Sequence, residues 1–345
     1  MEKKLKVLDC TLRDGGQGLE YLNYEAGIKT KEFSLENREN IAMNIRNSEV
    51  DIIELGAMAA NSDDRSRFAI YQDIEELSKY IPERVIRDQM FVGLYVGPDT
   101  DIDKIPDASS SLIDGVRVIL RYSELKKSLD YCAALSKKGY KVFLQPMLTM
   151  RYTEDDLKRV IYSANEMNAF ALYFVDSFGY MSEADVARFC DSYEVGLNED
   201  IHIGFHAHNH MDMAFCNSKF FIERFMGRKK ILDSCVMGMG QGAGNLPTEL
   251  LLYYLNKFHG TEYKLKHIWK VCDVLEKFRE HDMEVWGYSP LWLIPAMHNA
   301  AYKYAMAMKK QYKMSYAEIN SALEKISDDI KHRYTPSDLE KLLRH

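Results

Sequence analysis

The sequence lacks several features that mark particular classes of protein. Its six cysteines are spread from Cys10 to Cys272 without a C-x-x-C pair, so neither a disulfide framework nor a zinc ribbon is expected. No apolar run approaches the roughly 18 residues of a membrane-spanning helix, and residues 1–6 do not begin a signal peptide. The net charge is −7, without a basic block, which argues against a nucleic-acid partner. These absences predict a cytoplasmic protein that acts on a small molecule.

The sequence does contain enough apolar material for one large core, since 46% of its residues are hydrophobic. Short β-branched runs recur, each followed by a stretch with helical periodicity, and hydroxyl residues mark helix starts at Ser34, Thr153 and Ser182. Eight such units favour an α/β fold of the (β/α)8 TIM barrel type over an open sheet. The predicted strands are 6–12, 50–56, 90–96, 115–121, 141–148, 171–177, 201–208 and 231–238.

The pattern changes after about residue 255, where the strand signal disappears. Three helical stretches follow, at 264–280, 290–310 and 315–330. We therefore predict a barrel over residues 1–259 and a helical extension over residues 260–345. The sequence leaves open whether the extension caps the barrel or forms a contact between subunits, and we expect a homo-oligomer assembled through these helices.

Chemically useful side chains follow the predicted strands, at the end where barrel enzymes place their catalytic groups. His206 and His208 are two residues apart on one strand, so their rings face the same side. Together with the carboxylate of Asp14, two imidazoles suit a divalent cation with open coordination positions. An H-x-H pair alone is usually an ordinary polar strand end. Its coincidence with Arg13 at strand one and with the glycine-rich loop 238–245 after strand eight predicts a metal site.

Three further features point to the substrate. Arg13 stays protonated at any working pH and could stabilise an enolate oxygen, although an isolated arginine is more often a salt-bridge residue. Gly242 belongs to the glycine-rich loop, whose backbone could approach a ligand closely, but the loop lacks the spacing of a dinucleotide site. Residues 15–33 are predicted to be a long loop that closes over the substrate.

At this point three segments resemble the signatures of a known group of enzymes. They are DCTLRDG at 9–15, HAHN at 206–209 and GAGNLPTE at 242–249. These are similar to the motifs of the DRE-TIM metallolyase superfamily (HMG-CoA lyase-like), which contains 4-hydroxy-2-oxovalerate aldolase, 3-hydroxy-3-methylglutaryl-CoA lyase and the isopropylmalate synthases. The resemblance covers residues 6–254, nearly the whole predicted barrel.

The resemblance implies a divalent metal, Mn²⁺ or Mg²⁺, with Co²⁺ or Zn²⁺ as alternatives. It implies that Arg13 is the catalytic arginine. It also implies that the metal ligands are Asp14, His206, His208 and Asn245, and that Asn245 is the weakest of them.

Within the superfamily, segments 175–179 and 242–245 look most like the aldolases. This resemblance implies that Ser177 contacts the substrate and that Tyr288, in the segment Gly-Tyr-Ser, is the catalytic tyrosine. One departure is Gln17, because the aldolases have a histidine base at this position whereas the lyases and synthases have glutamine. A second is the loop 238–245, which has no cysteine where the lyases carry a reactive one.

These observations predict a carbon–carbon lyase that performs a retro-aldol or aldol reaction on a 4-hydroxy-2-oxo acid, with an oxo acid as its small-molecule partner. The base is left open among Tyr288, Glu54 and His210, and Glu54 could instead only orient its neighbours. Gln17 is expected to contact the substrate and favours one alternative, a Claisen-type enzyme that condenses an acyl-CoA with a 2-oxo acid. A barrel that binds a metal without catalysis is the second alternative.

Overall fold

The computed structural model describes residues 3–59, 65–225, 227–279 and 286–344. Its parallel strands close into the predicted eight-stranded barrel, because the first strand pairs with both the second and the last. A two-residue strand, β3, adds to the outer edge beside β2. The strands are β1 Leu5–Asp9, β2 Ile52–Met58, β3 Ile70–Tyr71, β4 Met90–Tyr95, β5 Gly115–Leu120, β6 Lys141–Pro146, β7 Ala171–Asp176, β8 His202–Ala207 and β9 Lys230–Ser234.

Each predicted strand overlaps an observed one. Most observed strands end earlier than predicted because the chain turns out of the sheet at the mouth of the barrel, where the chemically useful residues lie. Along the strands, side chains such as Leu8, Ile52 and Tyr173 fill the barrel interior, whereas their neighbours pack outward against the helices. The interior is therefore a packed core, and a substrate can be held only at its open end.

Helices surround this barrel, and three of them begin where the sequence predicts. The side chain of Ser34 accepts a hydrogen bond from the amide of Asn37, and Thr153 and Ser182 each form a reciprocal capping box with the third residue of their helix. The helices are α1 Thr11–Tyr24, α2 Leu35–Asn47, α3 Ile74–Ser78, α4 Leu125–Lys137, α5 Glu154–Glu166, α6 Glu183–Gly196, α7 Ala214–Glu223 and α8 Thr248–Phe258.

One prediction is wrong at the start of the chain: residues 15–24 belong to α1 and are not a loop. The glycines of this segment allow the helix to pack closely against its neighbours. A Cβ on Gly16 would lie 1.9 Å from the carbonyl oxygen of Phe68, so any larger residue would push the helix away from the chain that follows β2. Only residues 25–33 are irregular, and these lead into α2.

The C-terminal residues are helical, as predicted. Helix α9, Leu265–Arg279, packs against α2 and α8 on the outside of the barrel. The predicted helix 290–310 is two helices, α10 Pro290–Met297 and α11 Lys303–Lys310, because Asn299 adopts a left-handed conformation that ends the first. Two further helices follow, α12 Tyr316–Leu323 and α13 Pro336–Leu343. Among the described residues, no helix is long and apolar enough to cross a membrane.

Candidate active site

The three side chains predicted to bind a metal meet at the mouth of the barrel. Asp14 lies in the first turn of α1, His206 is the penultimate residue of β8, and His208 follows the end of that strand. One potential ligand atom from each lies within 4.8 Å of the other two. The Nε2 atom of His206 is 3.3 Å from a carboxylate oxygen of Asp14. This spacing is suitable for a single cation bound between the three groups.

Hydrogen bonds orient both imidazole rings toward that point. The Nδ1 atom of His206 donates to the carboxylate of Asp233 at 2.8 Å, and the Nδ1 atom of His208 donates to the backbone carbonyl of Asp176 at 2.8 Å. With a proton held on Nδ1, each ring directs its Nε2 atom at this point, where a metal that displaces any proton on Nε2 gains a histidine ligand.

Asn245 completes the surroundings of Asp14. Its Nδ2 atom donates to Asp14 at 2.9 Å and to the carbonyl of Met239 at 3.1 Å. Its own carbonyl oxygen, Oδ1, is buried and has no hydrogen-bond partner among the described residues. Because a buried polar atom without a partner is costly, an unpaired oxygen beside the ligand carboxylate fits a site built for a cation. Asn245 reaches this position because its backbone forms an isolated antiparallel bridge with the backbone of His208.

Arg13 is held rigidly next to this group. Its guanidinium contacts Asp14 at 3.1 Å and Glu54 at 2.8 Å, and it donates to the side-chain oxygen of Gln17 at 3.3 Å. Glu54 is fully buried and also binds Arg117 at 2.6 Å. Glu54 therefore lies behind Arg13, enclosed by two arginines and outside the cavity, which corrects the expectation that it is a candidate base.

The ion pairs continue into a closed ring across the barrel. Arg117 binds the carboxylate of Asp233, which in turn accepts the hydrogen bond from His206. Asp233 also accepts a hydrogen bond from the hydroxyl of Tyr173 at 2.9 Å. The ring consists of Asp14, Arg13, Glu54, Arg117, Asp233 and His206. Buried charges need such mutual pairing, so each member fixes the position of the next.

The charges of this ring determine the protonation states of the metal-ligand candidates. Burial favours a higher pKa for Asp14, but the charge of Arg13 and the bond to His206 outweigh it and hold that pKa well below its usual range. Burial and the adjacent positive His206 lower the pKa of His208 to about 3. Asp14 is thus an anion and His208 is neutral at neutral pH. Burial lowers the pKa of His206, but its bonds to Asp14 and Asp233 outweigh burial and hold that pKa well above its usual value, so a metal must displace a proton from His206.

The ligand set opens into a cavity of about 580 Å³ at the mouth of the barrel. Arg13, Gln17 and Ser177 line it, as predicted for groups that meet the substrate, together with the three metal-ligand candidates. Another part of the wall comes from the C-terminal extension, from the segment that leads into α11 and the first residue of that helix, and from the segment between α12 and α13. Those residues are Ala301, Tyr302, Lys303, His332, Arg333 and Tyr334.

Two predicted contacts are corrected. Tyr288 is 58% exposed and does not line the cavity, whereas Tyr302 does. Gly242 does not line it either: its backbone has a positive φ, and a Cβ there would lie 2.5 Å from Nε2 of His210. The glycine therefore makes room for His210, which does line the cavity and whose Nε2 has no hydrogen-bond partner among the described residues.

Sequence reasoning missed Tyr302, Asp233 and Arg117. Nothing in the local sequence distinguishes Tyr302 from the other tyrosines of the extension. Arg117 could have been found, because it is a charged residue in the middle of an otherwise apolar strand, and such residues are almost never fully buried unless they are paired. Asp233 follows the apolar pair Ile231-Leu232 in a strand that also contains Lys230 and Ser234, so its signal is weaker.

The fold and this site define a (β/α)8-barrel protein with a candidate metal centre at its mouth. The model of the HMGL-like family matches residues 4–275, and the chain belongs to that family.

Curated relatives and solved structures agree with this assignment. The chain is 28% identical over 279 residues to 4-hydroxy-2-oxovalerate aldolase of Pseudoalteromonas translucida, covering 79% of this chain and 75% of the relative. It is 27% identical to 4-hydroxy-2-oxovalerate aldolase 2 of Comamonas testosteroni, covering 79% and 74%. The N-terminal domain of a putative aldolase from Bacteroides vulgatus has a similar fold, with a TM-score of 0.71, 22% identity and coverage of 92% and 99%. Hydroxymethylglutaryl-CoA lyase from Pseudomonas aeruginosa gives a TM-score of 0.62, with 15% identity and coverage of 82% and 95%.

Proposed function

We propose that this protein is a divalent-metal-dependent aldolase that cleaves a 4-hydroxy-2-oxo acid to an oxo acid and an aldehyde, or joins them. The observation that carries the proposal is the convergence of Asp14, His206 and His208 beside a buried Arg13 at the open end of the barrel. The aldolase names of the relatives support the same reaction class.

A divalent cation held by Asp14, His206 and His208, with Asn245 as a further ligand, would supply Lewis-acid stabilisation of the negative charge on the oxo acid. Arg13 shares that task. Its guanidinium is fixed by Glu54 before substrate arrives, so it stabilises developing charge without reorganising. Gln17, which binds Arg13, lines the same cavity and would contact the carboxylate or oxo oxygen of the substrate.

Cleavage also requires a group that takes the proton of the 4-hydroxyl. Tyr302 donates its hydroxyl hydrogen to Gln241 at 2.5 Å, and burial raises the pKa of Tyr302 well above its usual value, so it stays protonated. His210 lines the same region with a free Nε2 atom. We therefore assign the proton transfer to His210, and His210→Gln is expected to lower turnover while metal binding is retained.

One experiment separates aldolase from Claisen chemistry, which Gln17 favours. Metal-loaded protein is incubated with pyruvate in deuterated water, and loss of the methyl protons is followed by NMR. An aldolase forms the enolate of the oxo acid and exchanges these protons without any CoA ester. A Claisen enzyme instead uses the oxo acid as electrophile and exchanges the protons of acetyl-CoA.

We expect exchange of the pyruvate protons that stops on chelation, returns with Mn²⁺ and is suppressed in Arg13→Ala. The matched control is Arg87→Ala, which removes an exposed arginine just before β4, at the other end of the barrel. Exchange confined to acetyl-CoA would replace the aldolase by the Claisen reaction. Absence of exchange in both substrates would favour a metal-binding barrel without this chemistry.

A further inference from the structure

The active-site cavity extends beyond the metal-ligand candidates into a region built by the C-terminal extension. Its volume of about 580 Å³ lies within the range of roughly 300–1,000 Å³ found for pockets that enclose drug-sized ligands. It therefore has room for much more than an oxo acid of the size of pyruvate. The wall that the extension supplies lies outside residues 4–275, so it is a feature of this chain beyond the family match.

Two arginines lie at this far wall. Arg333 lines the main cavity, and Arg151 lines a small cleft that shares Ser177, Phe178 and His332 with it. No metal-ligand candidate lines the cleft, so this region is separate from the site of bond cleavage.

Both arginines are exposed at the cavity, and neither has a carboxylate partner in the described part of the chain. Within the described parts of the chain, no carboxylate forms an ion pair with Arg151 or Arg333, although most other arginines are paired. The other charged residues that line the cavity wall, Lys303 and Glu25, pair with each other at 2.5 Å. Arg151 lies instead over the ring of Tyr122, 4.8 Å from its centroid. In a chain with a net charge of −7, two guanidinium groups without a carboxylate partner give this cavity a local positive charge.

The neighbouring polar groups are also unsatisfied. Gln145 is 5% exposed and lines the cavity, and its Nε2 atom has no hydrogen-bond partner in the described structure. Both ring nitrogens of His332, which stacks on Phe178, are buried without a partner. The hydroxyl of Ser177 accepts a hydrogen bond from the amide of Leu148 at 2.8 Å, which leaves its own hydrogen available. His332 is neutral, because burial lowers its pKa to about 4, so one of its ring nitrogens is a donor. Three donors without an acceptor beside two arginines favour a site for an anion.

We propose that Arg333 and Arg151 bind a negatively charged group, a carboxylate or a phosphate, at the end of the aldehyde that is remote from its carbonyl. This inference rests on the proposed function and specifies its substrate class: aldehydes that carry an anionic end. Arginine suits both groups because its planar guanidinium can donate two parallel hydrogen bonds to either.

The test compares charged and neutral aldehydes in condensation with pyruvate, catalysed by the 345-residue, Mn²⁺-loaded protein. For the carboxylate, 4-oxobutanoate is compared with pentanal; for the phosphate, glyceraldehyde 3-phosphate is compared with glyceraldehyde. We expect kcat/KM to favour the charged member of at least one pair by about 10-fold or more, the scale of a hydrogen bond to a charged group. Arg333→Gln and Arg151→Gln should each reduce this ratio, while the control Arg87→Gln leaves it unchanged.

The outcomes decide between the possibilities. A preference in the first pair alone identifies a carboxylate, and one in the second alone identifies a phosphate. Equal rates within both pairs, a preference that survives in both variants, or no condensation with either charged aldehyde would overturn the anion site. Pyruvate proton exchange is measured on the same unmodified protein. If exchange persists, only the anion site has failed, and if exchange is absent the proposed function fails and the anion site with it.

Discussion

Asp233→Asn is the substitution that most directly tests how the charge ring supports the candidate metal site. Asp233 accepts hydrogen bonds from His206 at 2.8 Å and from Tyr173 at 2.9 Å, and it pairs with Arg117. Asparagine has nearly the same shape but no charge and only one acceptor oxygen. His206 and Arg117 share one carboxylate oxygen of Asp233, and Tyr173 binds the other. The NH₂ group of asparagine therefore meets either Tyr173 or both His206 and Arg117, and in each case the charge that holds them is lost.

The substitution should lower both the folding free energy and the affinity for the metal. Removing one partner of a buried ion pair typically costs about 3–5 kcal/mol of folding free energy. We expect the lower end, because Arg117 keeps its bond to Glu54 at 2.6 Å. For the metal, loss of the group that orients a histidine ligand lowers affinity by about 10- to 100-fold. That change corresponds to about 1.4–2.8 kcal/mol of binding free energy.

The assay titrates Mn²⁺ into chelator-stripped protein by calorimetry and measures unfolding by urea on the same preparation. Tyr173→Phe is the matched control, since it removes one hydrogen bond to Asp233 and leaves the charge in place. This control should cost about 1 kcal/mol of stability without changing metal affinity. If Asp233→Asn is folded and binds Mn²⁺ as tightly as the unmodified protein, Asp233 does not orient a metal ligand and our interpretation of His206 is refuted.

Three further outcomes are expected. Arg13→Lys should keep its metal but lower turnover by about 10²-fold or more, because lysine cannot reproduce the fixed guanidinium; near-normal turnover would make Arg13 structural. His206→Ala should abolish Mn²⁺ binding, whereas His202→Ala, at the start of the same strand, should not. Gly242→Ala should lose more stability in urea than Gly260→Ala. Each substitution should cost about 1–2 kcal/mol of folding free energy, because alanine must adopt a left-handed backbone conformation. Only the alanine at position 242 also contacts a buried histidine ring.

The sequence by itself determined the barrel and the residues of its candidate metal centre. The strands could be predicted because burial between helices and core imposes continuous β-branched runs, which are local patterns. Asp14, His206 and His208 could be predicted because parallel strands all end at one mouth, so residues far apart in sequence converge there once the barrel is recognised.

Only the tertiary structure decided how that centre is held and what faces it. The pairing of Arg117 with Glu54 and Asp233 depends on which strands lie opposite each other, and no local pattern encodes that. The same holds for the extension, where Tyr302 and Arg333 reach the cavity through loops between helices. Tyr288, nearer in sequence to the barrel, remains at the surface. Helical periodicity specifies which face of a helix is buried but not the direction in which helices pack across the mouth, so these contacts arise only from the assembled fold.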